Sequence, residues 1–492
     1  MAPTYRHGIV SSRTKDVVLR IVLAAALGCA GLSGCATATV ESPALADSVP
    51  CDPAELGATA KPGEPAPVND FGGVSFSCST LRVPLDHRGL RSGPVESGDI
   101  ALRVAVADNA NAPRGVLVRL IGGPGVPGVA LASDITAHEI EPSVKQAYRV
   151  VFLNQRGTGP NALQCPQLQQ ALGASDLALP PPGSVQACAH ALGEARRFYT
   201  TADSVADLEA LRVALGVDKL TLDGSSYGSL FAERYALAHP DRVAALVLDS
   251  VVPHDGLDLT GIAVFPRAAQ VLAMACRETH CTTDPAHDLA QVVHARHNGP
   301  QLLDLITGLT SGKPRLTTVA AVLHAAAGGD YTALDTLIAG EHKDAAVEAA
   351  HLSQGLHTAS VCEDLLAPWT ATTPIGERGP LAARAIAGLP DTAFFPFDRD
   401  TATGNGAVRT CLQWPATEVA PFQAGRMLPP VPTLLLAGDH DLNTPLAWTQ
   451  QEAARAPHGT LVVIPGSGHI TQNADNGPAG RQAVAKFLTA TP

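Results

Sequence analysis

Charge is scarce in this chain of 492 residues: Asp, Glu, Lys and Arg together make up 16% of it. No run of lysine or arginine offers a stripe for a phosphate backbone, and the net charge of −12 would repel one. Nucleic acid is therefore excluded as the expected partner. No C-x-x-C pair occurs, and no cysteine–histidine cluster has ligand spacing, so no metal centre is expected. No sequence unit repeats. The apolar run IVLAAALGCAGLSG (21–34) is too short to read as a spanning helix. What the chain does have is hydrophobic residues, 46% of it, which excludes a disordered chain. Its length suits one large domain with an insertion, or roughly two to three domains.

The short apolar run follows a basic stretch bearing Arg6, Arg13, Lys15 and Arg20, the layout of a signal peptide over residues 1–34. It ends in Leu32-Ser33-Gly34-Cys35, which resembles the bacterial lipobox and makes Cys35 the expected lipidated first residue of an exported, membrane-anchored chain. Cys29 is a poorer candidate, with Ala26 rather than a branched residue three positions before it. Ordinary cleavage nearby and free secretion is the competing reading. Eight other cysteines remain: Cys51, Cys78, Cys165, Cys188, Cys276, Cys281, Cys362 and Cys411. An even number in an exported chain points to disulfides, and pairing of sequence neighbours is the simplest arrangement.

Residues 35–73, rich in Ala, Pro and small polar residues, read as a tether. Over 74–255 short buried-strand patterns alternate with helical ones, as in GVLVRLIGG, YRVVFLNQ and VAALVLDS. Alanine-rich helical patterns such as TTVAAVLHAAAGG fill 256–425, and strand–loop patterns return over 426–492. The expected fold is α/β: a mostly parallel sheet covered on both faces, with an inserted helical cap.

The stretch LTLDGSSYGSLFAERYALAHP places Ser226 between Gly224 and Gly228, the G-x-S-x-G of a nucleophile elbow between strand and helix. Ser225 has Asp223 and Tyr227 at those offsets, so the turn cannot close around it. A serine hydroxyl needs a base, and the base needs a carboxylate to hold its tautomer. Downstream, GDHDLNTP and GSGHI each follow an apolar strand pattern. His469 is the expected base, and Asp439 and Asp441 are both open as the acid. The oxyanion needs two backbone N–H groups, expected from Tyr227, next after the nucleophile, and from Gly123 in the GGPG loop. Residues 123–128 also fit G-x-G-x-x-G, but Pro124 and Pro127 remove N–H groups that a pyrophosphate would use. A dinucleotide site is not expected, nor any other cofactor.

Taken together, GGPG, NQRGTGPNALQC, DLEALRVALG, DGSSYGS, ERYALAHPDRVAALVLDSVVP, GDHDLNTP and GSGH resemble the proline-iminopeptidase branch of the α/β-hydrolases, in particular its exported tripeptidyl-aminopeptidase-like members. The family's G-x-x-D-x-x-T-P motif falls on Gly438, Asp441, Thr444 and Pro445, which selects Asp441 as the acid. Leu120-Ile121 before the glycine loop and Asn154 before QRG depart from the family pattern. The resemblance implies an aminopeptidase acting on peptides with a free N-terminus, whose α-ammonium is held by cap carboxylates. Glu363 and Asp364 in VCEDL stand where that role would fall, and an ordinary acidic pair in a cap helix is the alternative. An esterase on the same machinery is the runner-up, since fold and triad do not separate ester from amide. A peptide-binding lipoprotein without catalysis is a third reading, and it would have no need of a complete Ser-Asp-His set.

Overall fold

The computed structural model describes residues 42–59, 65–88, 98–348, 352–415 and 425–490. The signal segment, the lipobox and Cys35 lie outside the described residues. The described strands are β1 (Leu45–Pro50), β2 (Phe76–Pro84), β3 (Asp99–Ala107), β4 (Val116–Leu120), β5 (Arg149–Leu153), β6 (Leu220–Ser225), β7 (Val243–Asp249), β8 (Leu257–Asp258), β9 (Leu365–Leu366), β10 (Thr433–Gly438) and β11 (Gly459–Ile464). A 9-stranded sheet runs in the order β1-β2-β3-β5-β4-β6-β7-β10-β11. From β5 to β11 the neighbours are parallel; β3, β2 and β1 pair antiparallel at the other side.

β4, β6 and β10 are buried at every residue, because helices cover both faces of the parallel part. The helices Thr201–Ala214 and Tyr227–Ala238 pack Leu208, Leu211, Leu230 and Tyr235 against Leu222 and Leu246 on one face. A capping box between Thr200 and Asp203 starts the first of these helices. On the other face, Ile135 of the helix Ala132–His138 and Val484 and Leu488 of Ala479–Ala490 meet Phe152, Leu434 and Leu436. Parallel strands leave the loops after β4, β6, β10 and β11 at one edge of the sheet, where the glycine loop, the elbow and the candidate acid and base all lie.

Between β7 and β10 the helices Val264–Glu278, Pro285–Arg296, Gly299–Gly308 and Val319–Ala327 enclose a separate core of Phe265, Leu289, Leu302 and Leu323. The eight cysteines pair as sequence neighbours: Cys51–Cys78, Cys165–Cys188, Cys276–Cys281 and Cys362–Cys411. No helix among the described residues is long and apolar enough to cross a membrane.

Two segments depart from the sequence reading. The expected tether, 35–73, is built into the sheet from Leu45 onward: β1 pairs with β2, Leu56 and Phe71 enter the core, and Cys51 is bonded to Cys78. Its polar composition reflects an edge strand exposed along nearly its whole length. The second departure lies within the expected first core segment. Residues between β5 and Thr201 form the helices Pro166–Leu172 and Ser184–Leu192, which pack Leu168 and Val185 with Ala359 and Trp414 of the later helical segment. Helical cover thus comes from two insertions.

Candidate active site

β6 ends at Ser225, and Ser226 takes φ 55° and ψ −128° before the helix Tyr227–Ala238 begins. A serine held at positive φ is strained, and such strain collects at functional turns. The turn closes because its flanking glycines meet backbone directly. A methyl on Gly224 would lie 2.2 Å from the Gly228 carbonyl oxygen, and one on Gly228 2.2 Å from that of Leu120. The Ser229 hydroxyl donates to the Ser226 carbonyl at 2.7 Å and accepts from the Val252 amide at 2.9 Å, fixing the helix start to the strand beyond.

In the loop after β10, Asp441 is fully buried and its Oδ2 lies 2.9 Å from Nδ1 of His469. The same carboxylate accepts the amides of Asn443 and Thr444 and the Thr444 hydroxyl. Burial penalises its charge, yet His469 and these donors together hold it below the usual carboxylate range. For His469 burial works against the imidazolium, and the Asp441 carboxylate outweighs it, so the ring's pKa is raised. Asp439 faces elsewhere, accepting the Gly466 amide at 2.7 Å and contacting Nδ1 of His440.

Asp249, at the end of β7, joins the elbow to the His469 loop. Its carbonyl accepts the Ser226 amide at 2.9 Å, and its carboxylate accepts the amides of Thr471 and Gln472 and the Thr471 hydroxyl. Next to it, the Ser250 hydroxyl accepts the Ile470 amide at 2.7 Å. Gln472 in turn donates to Asp223, which also accepts from the buried Arg119 at 3.1 Å. From the opposite side, the Thr310 carbonyl accepts the His469 amide at 2.9 Å and its hydroxyl accepts the Leu442 amide at 3.2 Å. Sequence motifs single out none of Arg119, Asp249 or Thr310; only the strand-terminal place of Asp249 in VAALVLD hints at a site role.

Gly123, Ser226 and Tyr227 line one cavity. As the first residue of its helix, Tyr227 has an N–H without an intrahelical partner. Asn154 accepts the Val129 amide at 2.9 Å and so holds the far end of the glycine loop.

A family model described as alpha/beta hydrolase fold matches residues 116–318, and one described as TAP-like protein matches residues 396–491. The chain has the α/β-hydrolase fold. Over 194 residues the chain is 29% identical to the tripeptidyl aminopeptidase of Streptomyces coelicolor, covering 36% of the chain and 35% of that protein. Over 192 residues it is 29% identical to the serine protease Hip1 of Mycobacterium tuberculosis, covering 36% of each. A proline iminopeptidase of Xylella fastidiosa is 48% identical over 52 residues, 11% of this chain and 17% of that one. The match thus spans about a third of the first relatives' length.

Of the two expected substrate carboxylates, Asp364 lines the cavity and Glu363 does not. Asp364 is already matched: Arg234 pairs with Oδ1, and the Thr201 hydroxyl donates to Oδ2 at 2.6 Å. Thr201 also meets the Tyr227 hydroxyl at 2.7 Å, so this chain of contacts sets the tyrosine ring behind the elbow. Burial, with Asp364 beside it, pushes the Glu363 carboxyl well above its usual range. Elsewhere, Glu233, His254 and Glu452 offer ligand atoms within 4.8 Å of one another, the one such group found among the described residues. There His254 Nδ1 lies 2.6 Å from Glu452, Arg455 lies 2.9 Å from the same carboxylate, and burial with Glu452 nearby pushes Glu233 toward its neutral form. Asp255, 2.6 Å from Arg455 and 3.3 Å from Nε2 of His254, completes that cluster.

Proposed function

We propose that this α/β-hydrolase is an exported serine peptidase that removes residues or short peptides from a free N-terminus. The observation carrying the reading is the hold of Asp249 on both the Ser226 amide and the loop of His469, whose ring Asp441 orients. Ser226 attacks the scissile carbonyl while His469 takes its proton through Nε2, Nδ1 being committed to Asp441. The Gly123 and Tyr227 amides receive the oxyanion, and the imidazolium returns the proton to the leaving amine. Water then repeats the sequence on the acyl-enzyme. Other carboxylates of the cavity wall receive the substrate's α-ammonium, since Asp364 is already matched by Arg234 and Thr201.

Peptide as substrate is supported by the relatives named as aminopeptidases and a serine protease. Four disulfides support export, and Cys35 is proposed as the lipid-anchored residue. Chromogenic peptides with free or acetylated N-termini, run beside simple esters, test the substrate class. Release from free N-termini alone is expected; cleavage of blocked peptides equally well, or of esters alone, overturns it. Detergent partitioning of wild type against Cys35→Ser tests the anchor, and an unchanged distribution refutes it.

A further inference from the structure

The glycine loop after β4 is held by the helical insertions as well as by the sheet. At the start of the helix Gln354–Asp364, the Ser353 amide donates to the Gly125 carbonyl at 2.9 Å. Gly125 sits at φ 107°, and a methyl on it would lie 2.7 Å from the Ser353 carbonyl oxygen. One turn along the same helix, the buried ring of His357 has Nδ1 3.0 Å from the Pro124 carbonyl oxygen and Nε2 3.1 Å from Oδ1 of Asp176. Asp176 belongs to the insertion between β5 and Thr201 and lines the cavity with Ser226.

A carbonyl oxygen can only accept, and a carboxylate accepts as well, so a ring serving both must donate from both nitrogens. Neutral imidazole carries a single N–H; two donors require the imidazolium. Pro124 follows Gly123, the proposed oxyanion donor. We propose that His357, as an imidazolium donating to Pro124 and Asp176, is a positioning residue for the oxyanion loop, so that stabilising the oxyanion depends on a proton held outside the triad. This rests on the reading of Ser226 as nucleophile and Gly123 as oxyanion donor.

The charge around the ring fits. Burial alone would strip the proton, but Asp176 and the Pro124 carbonyl outweigh it and the pKa of His357 is raised. Asp176 is the carboxylate in ion-pair contact with the ring; Asp304, Glu341 and His342 stand beyond it, and His469 feels Asp176 from the other side. His357 must keep its proton while His469 must lose one, which gives a bell-shaped pH profile whose alkaline limb belongs to His357.

The test is the second-order rate of labelling by a fluorophosphonate probe, which needs the nucleophile and the oxyanion site but no knowledge of the peptide. Wild type, His357→Ala, His357→Gln and Asp176→Asn are compared from mildly acid to alkaline pH, each with a thermal melt. His357→Ala is expected to label about 10- to 100-fold more slowly, the usual cost of a slightly misplaced group. His357→Gln, which can donate to Pro124 but cannot titrate, is expected to recover part of the rate and to lose the alkaline limb. Variants labelling at the wild-type rate, or an alkaline limb surviving unchanged in His357→Gln, overturn the proposal. If His357→Ala fails to fold, the glutamine variant and the wild-type profile decide. A wild type that does not label at all overturns the nucleophile reading and this inference with it.

Discussion

The carbonyl of Asp249 accepts the amide of Ser226 at 2.9 Å. Through its carboxylate the same residue grips Thr471 and Gln472, two and three positions after His469, so Ser226 and His469 are referred to one point at the end of β7. An amide in place of that carboxylate keeps one acceptor and turns a donor toward donors. Asp249→Asn is expected to slow hydrolysis about 10- to 100-fold and to lower the melting temperature. Ser250→Ala, which removes one bond to the Ile470 amide, is expected to cost only about 0.5–1.5 kcal/mol. Steady-state rates beside thermal melts check both.

The raised pKa of His469 sets the acid limb of activity. The base form is needed for attack, and because the folded pKa lies above the ordinary imidazole value of about 6.5, activity is lost as pH falls through that raised value. Removing the Asp441 charge takes away what raises it. Asp441→Asn is expected to move the acid limb to lower pH and to cut kcat by on the order of 10^3- to 10^4-fold, read from rates across the acid range.

The strand–turn–helix at Ser226, the loops that bring Asp441 to His469, and the cysteine pairing are legible because each is local: short motifs at strand ends, or cysteines close in sequence. Asp441 was separable from Asp439 only through the family motif, and the structure turns Asp439 toward Gly466 and His440. What escaped the sequence is long-range. β1 has no alternating pattern of its own, being an edge strand completed by β2. Arg119 and Asp223 are 104 residues apart, and Thr471 is 222 residues from Asp249; nothing local marks either pair. The helices after β5 look like core helices until Trp414 and Ala359 are seen against them.

A methyl at Gly228 has no room to relax, because the atom it meets is the main-chain oxygen of Leu120. Gly228→Ala is expected to destabilise the fold by about 1–3 kcal/mol, the range for overpacking, and to lower activity further by moving Ser226. Chemical denaturation, with activity assayed well below the transition, separates the two effects.

Arg234 and Asp364 are a buried pair, with side chains 11% and 3% exposed. Taking away one charge leaves the other uncompensated. Arg234→Met is expected to cost about 3–5 kcal/mol, and Arg234→Met combined with Asp364→Asn to cost less than that single change. A double-mutant cycle on denaturation midpoints checks the sign of the coupling.

The central claim is that Ser226 is the nucleophile. Peptide mapping by mass spectrometry after fluorophosphonate treatment tests it most directly, in wild type, Ser226→Ala and Ser225→Ala. One adduct on Ser226 is predicted, lost in Ser226→Ala and kept in Ser225→Ala; an adduct on another residue, or labelling that persists in Ser226→Ala, would contradict the account.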